Sequence, residues 1–115
     1  MIPTKVHSVI DYVYGILLIV APFLIRFEAI PAATWILVLA GAGALLYSLL
    51  TDYELGYFKL IPMRIHLALD VIAGAFLAVS PWLFGFADQI WWPHVVAGAI
   101  SIIVPLLTSR QSGSN

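Results

Sequence analysis

Ile2-Pro3-Thr4-Lys5-Val6-His7, followed by Asp11, Gly15 and Pro22, returns as Ile61-Pro62-Met63-Arg64-Ile65-His66, followed by Asp70, Gly74 and Pro81. The offset is constant, so His7 corresponds to His66 and Asp11 to Asp70. The chain is therefore an internal duplication, and both copies keep a histidine and an aspartate inside strongly apolar segments. Working outward, each copy continues into a turn and a second apolar run. After the turns the offset falls by two residues. Ala40-Gly41-Ala42 then corresponds to Ala97-Gly98-Ala99, and Leu49-Leu50-Thr51 to Leu106-Leu107-Thr108. Each copy reads as a helix hairpin.

Composition says what surrounds those hairpins. Of the 115 residues, 63% are hydrophobic and 10% charged, whereas a soluble domain has about 45–50% apolar and about 25% charged residues. Mean hydropathy is +1.04. Four segments, Val6–Ile25, Ala33–Leu50, Arg64–Phe84 and Trp91–Leu107, are expected to be membrane helices, since about 20 residues match a hydrocarbon core of roughly 30 Å. The predicted fold is thus an all-α, polytopic membrane protein with four transmembrane helices. It forms one domain over 1–115, as two parallel tandem hairpin repeats, about 2–54 and 61–110. An even number of helices per repeat makes both copies enter the membrane the same way up, related by a pseudo-two-fold along the membrane normal.

Net charge is −1 and there is no cysteine. The first leaves no basic footprint for nucleic acid. The second removes disulfides and thiolate metal sites. Lys5, Lys59, Arg64 and Arg110 fall on one side of the expected spans and only Arg26 on the other, which places both termini in the cytoplasm. Lys5 and Arg64 correspond between the copies and are expected at the lipid headgroups. The polar tail from Ser109 to Asn115 is expected to fray.

Of the positions identical between the first helices of the copies, all but Val20 fall at spacings of three and four: His7, Asp11, Gly15, Leu18 and Pro22, with mates His66, Asp70, Gly74, Leu77 and Pro81. At about 100° per residue they form one stripe. Neighbouring positions have drifted, as Ile16 against Ala75 and Tyr14 against Ala73. The stripe is therefore expected to face protein, and the two stripes to be able to face each other. Gly15 and Gly74 would allow close packing, and Pro22 and Pro81 would kink or end their helices.

The second copy contains Ser80-Pro81-Trp82, which resembles the signature of the SPW repeat, a two-helix unit of small prokaryotic membrane proteins. The first copy keeps only the proline, in Ala21-Pro22-Phe23. The resemblance implies the fold and a prokaryotic inner membrane; it implies no settled activity.

His7, Asp11, His66 and Asp70 form the candidate polar site, because an intramembrane ionisable group must be paired or used. The favoured reading is structural, each aspartate accepting bonds from its own histidine, from a tyrosine such as Tyr47, or from loop amides. The alternatives are a proton or cation path and a weaker metal site. Haem ligation by His7 and His66 is disfavoured so near the interface. His94 is expected to be a solvated interfacial residue, Tyr53 an interfacial aromatic, and Asp52 and Glu54 solvated loop charges. No phosphate loop, nucleophile elbow or zinc-protease motif is present. The expectation is a non-enzymatic accessory module without a cofactor, partnered by lipids and by itself or another membrane protein. The runner-up is a proton or cation conductor using the two His/Asp pairs.

Overall fold

In the computed structural model, which describes residues 1–108, the chain forms α1 (Thr4–Leu24), α2 (Pro31–Leu49), α3 (Met63–Leu83) and α4 (Trp92–Leu106). The first three are long and apolar enough to cross a membrane. α4 has 15 residues, a rise of about 22 Å against a hydrocarbon core of roughly 30 Å. It lies one residue inside the expected span at each end, opening at Trp92 with proline in its first turn and closing at Leu106, the position matching the end of α2. The chain is an all-α, multi-pass membrane protein. The expected fraying beyond Thr108, and Arg110 with it, lies outside the described residues.

Why the helices stop where they do follows from local chemistry. Pro31 and Pro93 open α2 and α4, where a missing amide costs nothing and the fixed φ suits a helix. α1 and α3 end two residues after Pro22 and Pro81. Arg26 and Gly85, corresponding residues, then take left-handed backbone with φ of 67° and 76°, the geometry that turns a chain off a helix end. Phe27 and Phe86 follow, each donating its amide to the proline carbonyl at 2.8 Å. Both phenyl rings bury into the outer end of the bundle.

Packing is close within each hairpin and thin between hairpins. At mid-height α1 and α2 meet backbone to backbone. A Cβ added to Gly41 would lie 2.5 Å from the carbonyl oxygen of Gly15. Gly74 and Gly98 repeat this contact between α3 and α4, with a Cβ on Gly98 also 2.5 Å from the Gly74 oxygen. The stripe of identical positions is buried along its whole length. Its glycines face the partner helix of the same hairpin, whereas its His/Asp end looks across to the other copy and Leu18 and Leu77 share one core cluster. The expected face-to-face meeting of the stripes is thus interrupted at mid-height, where the glycines draw the backbones onto α2 and α4.

Two short backbone bridges close the bundle. Thr51 pairs with Ile61, and Thr108 pairs with Ile2, both in parallel sense. The Ile61 amide donates to the Leu50 carbonyl at 2.7 Å and the Ile2 amide to the Leu107 carbonyl at 2.6 Å. These are the same bond in the two repeats. The end of each copy is therefore tied to the beginning of the other.

Gly98→Ala forces two backbones apart and is expected to destabilise the protein by about 1–3 kcal/mol. Gly43, whose added Cβ would meet nothing within 4 Å, should accept alanine with no loss. Denaturant unfolding of the two variants in detergent micelles compares them.

Candidate functional site

The His/Asp ends of the two stripes meet in one buried cluster, about 10 Å along α1 and α3 from their starts at a rise of 1.5 Å per residue. His7, His66 and Asp70 are almost fully enclosed and Asp11 is 8% exposed. Each histidine Nε2 lies between the two carboxylates. His7 Nε2 is 3.1 Å from Asp11 Oδ1 and 3.1 Å from Asp70 Oδ2. His66 Nε2 is 2.8 Å from Asp11 Oδ2 and 3.4 Å from Asp70 Oδ2. The short pairs thus include cross-repeat ones, alongside the one-turn spacing of each helix.

The other ring nitrogen is anchored by threonine. Thr51 donates its hydroxyl proton to the Tyr47 carbonyl at 2.6 Å, and Thr108 donates to the Val104 carbonyl at 2.7 Å. With that proton committed, each hydroxyl is an acceptor. It therefore receives Nδ1–H of His66 at 2.7 Å, and of His7 at 2.9 Å. Each ring thus donates Nδ1–H to a threonine and turns Nε2 to the carboxylates, with which it forms ion pairs when the ring carries its second proton. Each histidine of one repeat is held by the terminal threonine of the other.

Two tyrosines complete the carboxylate environment. Tyr47 donates its phenol to Asp70 Oδ1. Tyr53 donates to Asp11 Oδ2 at 2.8 Å. Tyr53 is wholly buried rather than interfacial, as its place in a polar loop suggested. The loop folds back under the cluster and Gly56 permits it, since a Cβ there would sit 1.8 Å from the Thr51 carbonyl oxygen. Burial and the neighbouring Asp11 carboxylate push the Tyr53 phenol up from its ordinary value, so it remains a donor at any physiological pH. Both phenols come from the first repeat. Val104 stands where Tyr47 would recur, so donation to the carboxylates is asymmetric while the histidine anchoring is symmetric.

A cavity of about 20 Å³ adjoins the cluster, lined by His7, Asp11, Tyr14, Tyr47, Asp70 and Ser101 among others. That is room for one water. Toward the outer face, buried Leu18, Leu37 and Leu77 fill the bundle.

Other expected roles fall differently. His94 is fully buried between Phe27 and Phe86, with Nε2 donating to the Ala33 carbonyl at 3.0 Å. It is not solvated, because the two phenylalanines that follow the helix-ending turns close over it. Glu54 accepts the Thr4 hydroxyl at 2.8 Å and so helps hold the loop to α1. Lys5 and Arg64 are exposed at the ends of α1 and α3. The missed participants, Thr51, Thr108 and Tyr53, carried a usable signal in part: the threonines recur on the second offset, at the close of each repeat.

The fold and this shared polar core define a class: a small multi-pass membrane protein made of two hairpin repeats that exchange side chains across a pseudo-two-fold. The SPW repeat domain matches residues 5–108, and the chain belongs to that family. No curated protein and no solved structure matches the chain. The structure gives the signature a physical meaning. Pro81 has no amide to offer the Leu77 carbonyl one turn back. Ser80 supplies the missing donor, its Oγ lying 2.7 Å from that oxygen. Trp82 is half exposed, its ring centroid 6.2 Å from that of Trp91, a placement suited to the membrane interface.

The pseudo-symmetry of the anchors has a measurable consequence. Thr51→Val and Thr108→Val each strand one buried Nδ1–H and should each cost about 1–3 kcal/mol. Unfolding in micelles should give similar losses for the two; a large loss for one alone would contradict the equivalence.

Proposed function

We propose that this protein is a compact, non-enzymatic accessory module of a prokaryotic cytoplasmic membrane, with both termini on the cytoplasmic side, that packs with a second copy of itself or with another membrane protein. One observation carries the reading. Where the hairpins meet thinly, a lateral groove of about 220 Å³ opens along Tyr14, Ala40, Gly43, Ala44, Ala73 and Leu77. Its floor is made of small residues, and Gly43 presents open space. In lipid, helices associate by close packing at such surfaces, since hydrophobic burial alone does not distinguish a helix from an acyl chain. The His–Asp cluster then serves to hold the two hairpins at a fixed spacing, which gives the groove its shape. Lys5 and Arg64 suit anionic headgroups at the inner edge.

The chain has no cysteine, so a single introduced thiol reports on the groove alone. Gly43→Cys is expected to cross-link between copies in native membranes, and Gly43→Trp to abolish self-association in native mass spectrometry. A monomer with no cross-link to itself or to any membrane protein would overturn the reading.

The second reading is proton or cation conduction through Asp11 and Asp70. The convergence of both carboxylates and both histidines supports it. The apolar layer of Leu18, Leu37 and Leu77 weighs against a through-path, and for that reason it ranks second. Conduction predicts a proteoliposome flux that disappears in the Asp11→Asn, Asp70→Asn double variant. No flux in the wild type, or an unchanged one in the variant, removes it.

A further inference from the structure

We propose that His7, His66, Asp11 and Asp70 bind one divalent transition-metal ion of the zinc class, held jointly by the two repeats. The inference takes up the cluster that the conduction reading uses, but it requires retention of an ion rather than passage.

Four arguments converge. One ligand atom from each residue can be chosen so that all four lie within 4.8 Å of one another. The histidine-to-carboxylate separations run from 2.8 to 3.4 Å. Bonds of about 2.0–2.2 Å in a tetrahedron put neighbouring ligands roughly 3.3 Å apart; the separations at 3.1 and 3.4 Å are close to that edge, and the widest separation in the set, within 4.8 Å, would contract around an ion.

Second, His66 Nε2 is fully buried and makes no hydrogen bond among the described residues. It lies 2.8 Å from Asp11 Oδ2, yet its direction does not suit a proton shared with that oxygen. A buried nitrogen directed between two carboxylates, with no hydrogen bond completed to either, stands where a ligand atom would stand.

Third, the surroundings do for these four residues what outer partners do at metal sites. Each histidine gives its other N–H to a threonine hydroxyl, which fixes the coordinating nitrogen. Each carboxylate takes a phenol proton on one oxygen, from Tyr47 or Tyr53.

Fourth, charge balances. The ion would displace the Nε2 protons to solvent; two carboxylates and two neutral imidazoles then carry −2, which a divalent cation cancels. A neutral site suits a medium where net charge is costly. Paired imidazoles with carboxylates favour zinc, cobalt, nickel or copper over magnesium or calcium, which take oxygen ligands. The adjoining water-sized cavity offers a place for a fifth, exchangeable ligand.

The test uses the untagged full chain in detergent micelles, stripped with chelator and reloaded with zinc or cobalt. The expected result is roughly one zinc per chain, a tetrahedral cobalt absorption spectrum, and a zinc-dependent rise in unfolding midpoint. His66→Gln should weaken binding by more than about tenfold, and His94→Gln should leave it unchanged. Binding without any ion flux would support retention and count against conduction. Absence of zinc above background, an octahedral cobalt spectrum, or equal binding by His66→Gln would overturn the proposal. Should His66→Gln not fold, X-ray absorption of the zinc-loaded wild type decides: two imidazoles in the shell support the site, and fewer refute it, since His94 alone supplies one.

Discussion

Two carboxylates enclosed in an apolar bundle set the terms for everything around them. An aspartate carried toward the middle of a bilayer costs about 2.5–3.5 kcal/mol on insertion scales, and a lone buried charge costs more than its pairing returns. Asp11 and Asp70 therefore demand donors, and the chain supplies them from every element that reaches the inner end: histidines from α1 and α3, a phenol from α2, and a second phenol from the loop beneath. The threonines that orient the histidines in turn require the ends of α2 and α4 to arrive at the correct height. The backbone bridges at Ile2 and Ile61 hold those ends in place. Loop course, helix length and hairpin spacing are all consequences of satisfying two side chains.

The same constraint explains why the hairpins can afford so little contact elsewhere. Within a hairpin, glycine pairs bring backbones together and dispersion does the holding. Between hairpins the ties are polar and few. They include the cluster, the Tyr14 hydroxyl on the Ala97 carbonyl at 2.8 Å, His94 on the Ala33 carbonyl at 3.0 Å, and the terminal bridges. Directional bonds of this sort specify a single arrangement better than they supply raw cohesion, and in lipid there is no competing water to loosen them. The groove between hairpins is the other side of that economy.

Much of this was legible in the sequence because duplication acts as an internal comparison. Positions that stay identical between copies, His7 with His66 or Gly15 with Gly74, are those whose neighbours constrain them, and periodicity places them on one face. What periodicity cannot give is the partner of a face. The glycines send the middle of the stripe to the adjacent helix, while the His/Asp end turns across the pseudo-two-fold, and nothing in a spacing of three and four separates the two. Tyr53 was illegible for a different reason. Its burial depends on how a nine-residue connection folds back, and that depends on Gly56 lying against Thr51. His94 lacks a counterpart, and only the meeting of Phe27 with Phe86 encloses it.

The parallel bridges deserve a topological reading. Because Thr51 meets Ile61 as Thr108 meets Ile2, the fold is a closed ring of two equal arcs, and the connection between them is only one of two equivalent joints. Each arc offers a histidine to the other's carboxylate and a threonine to the other's histidine. An ancestral chain of a single arc would have found in a second copy all that this chain finds in itself, apart from the two phenols. Joining the arcs in one chain lets one of them differ from the other. Tyr47 and Tyr53 on one side, with Val104 in place of a tyrosine on the other, are what a symmetric dimer made of identical subunits has no means to encode.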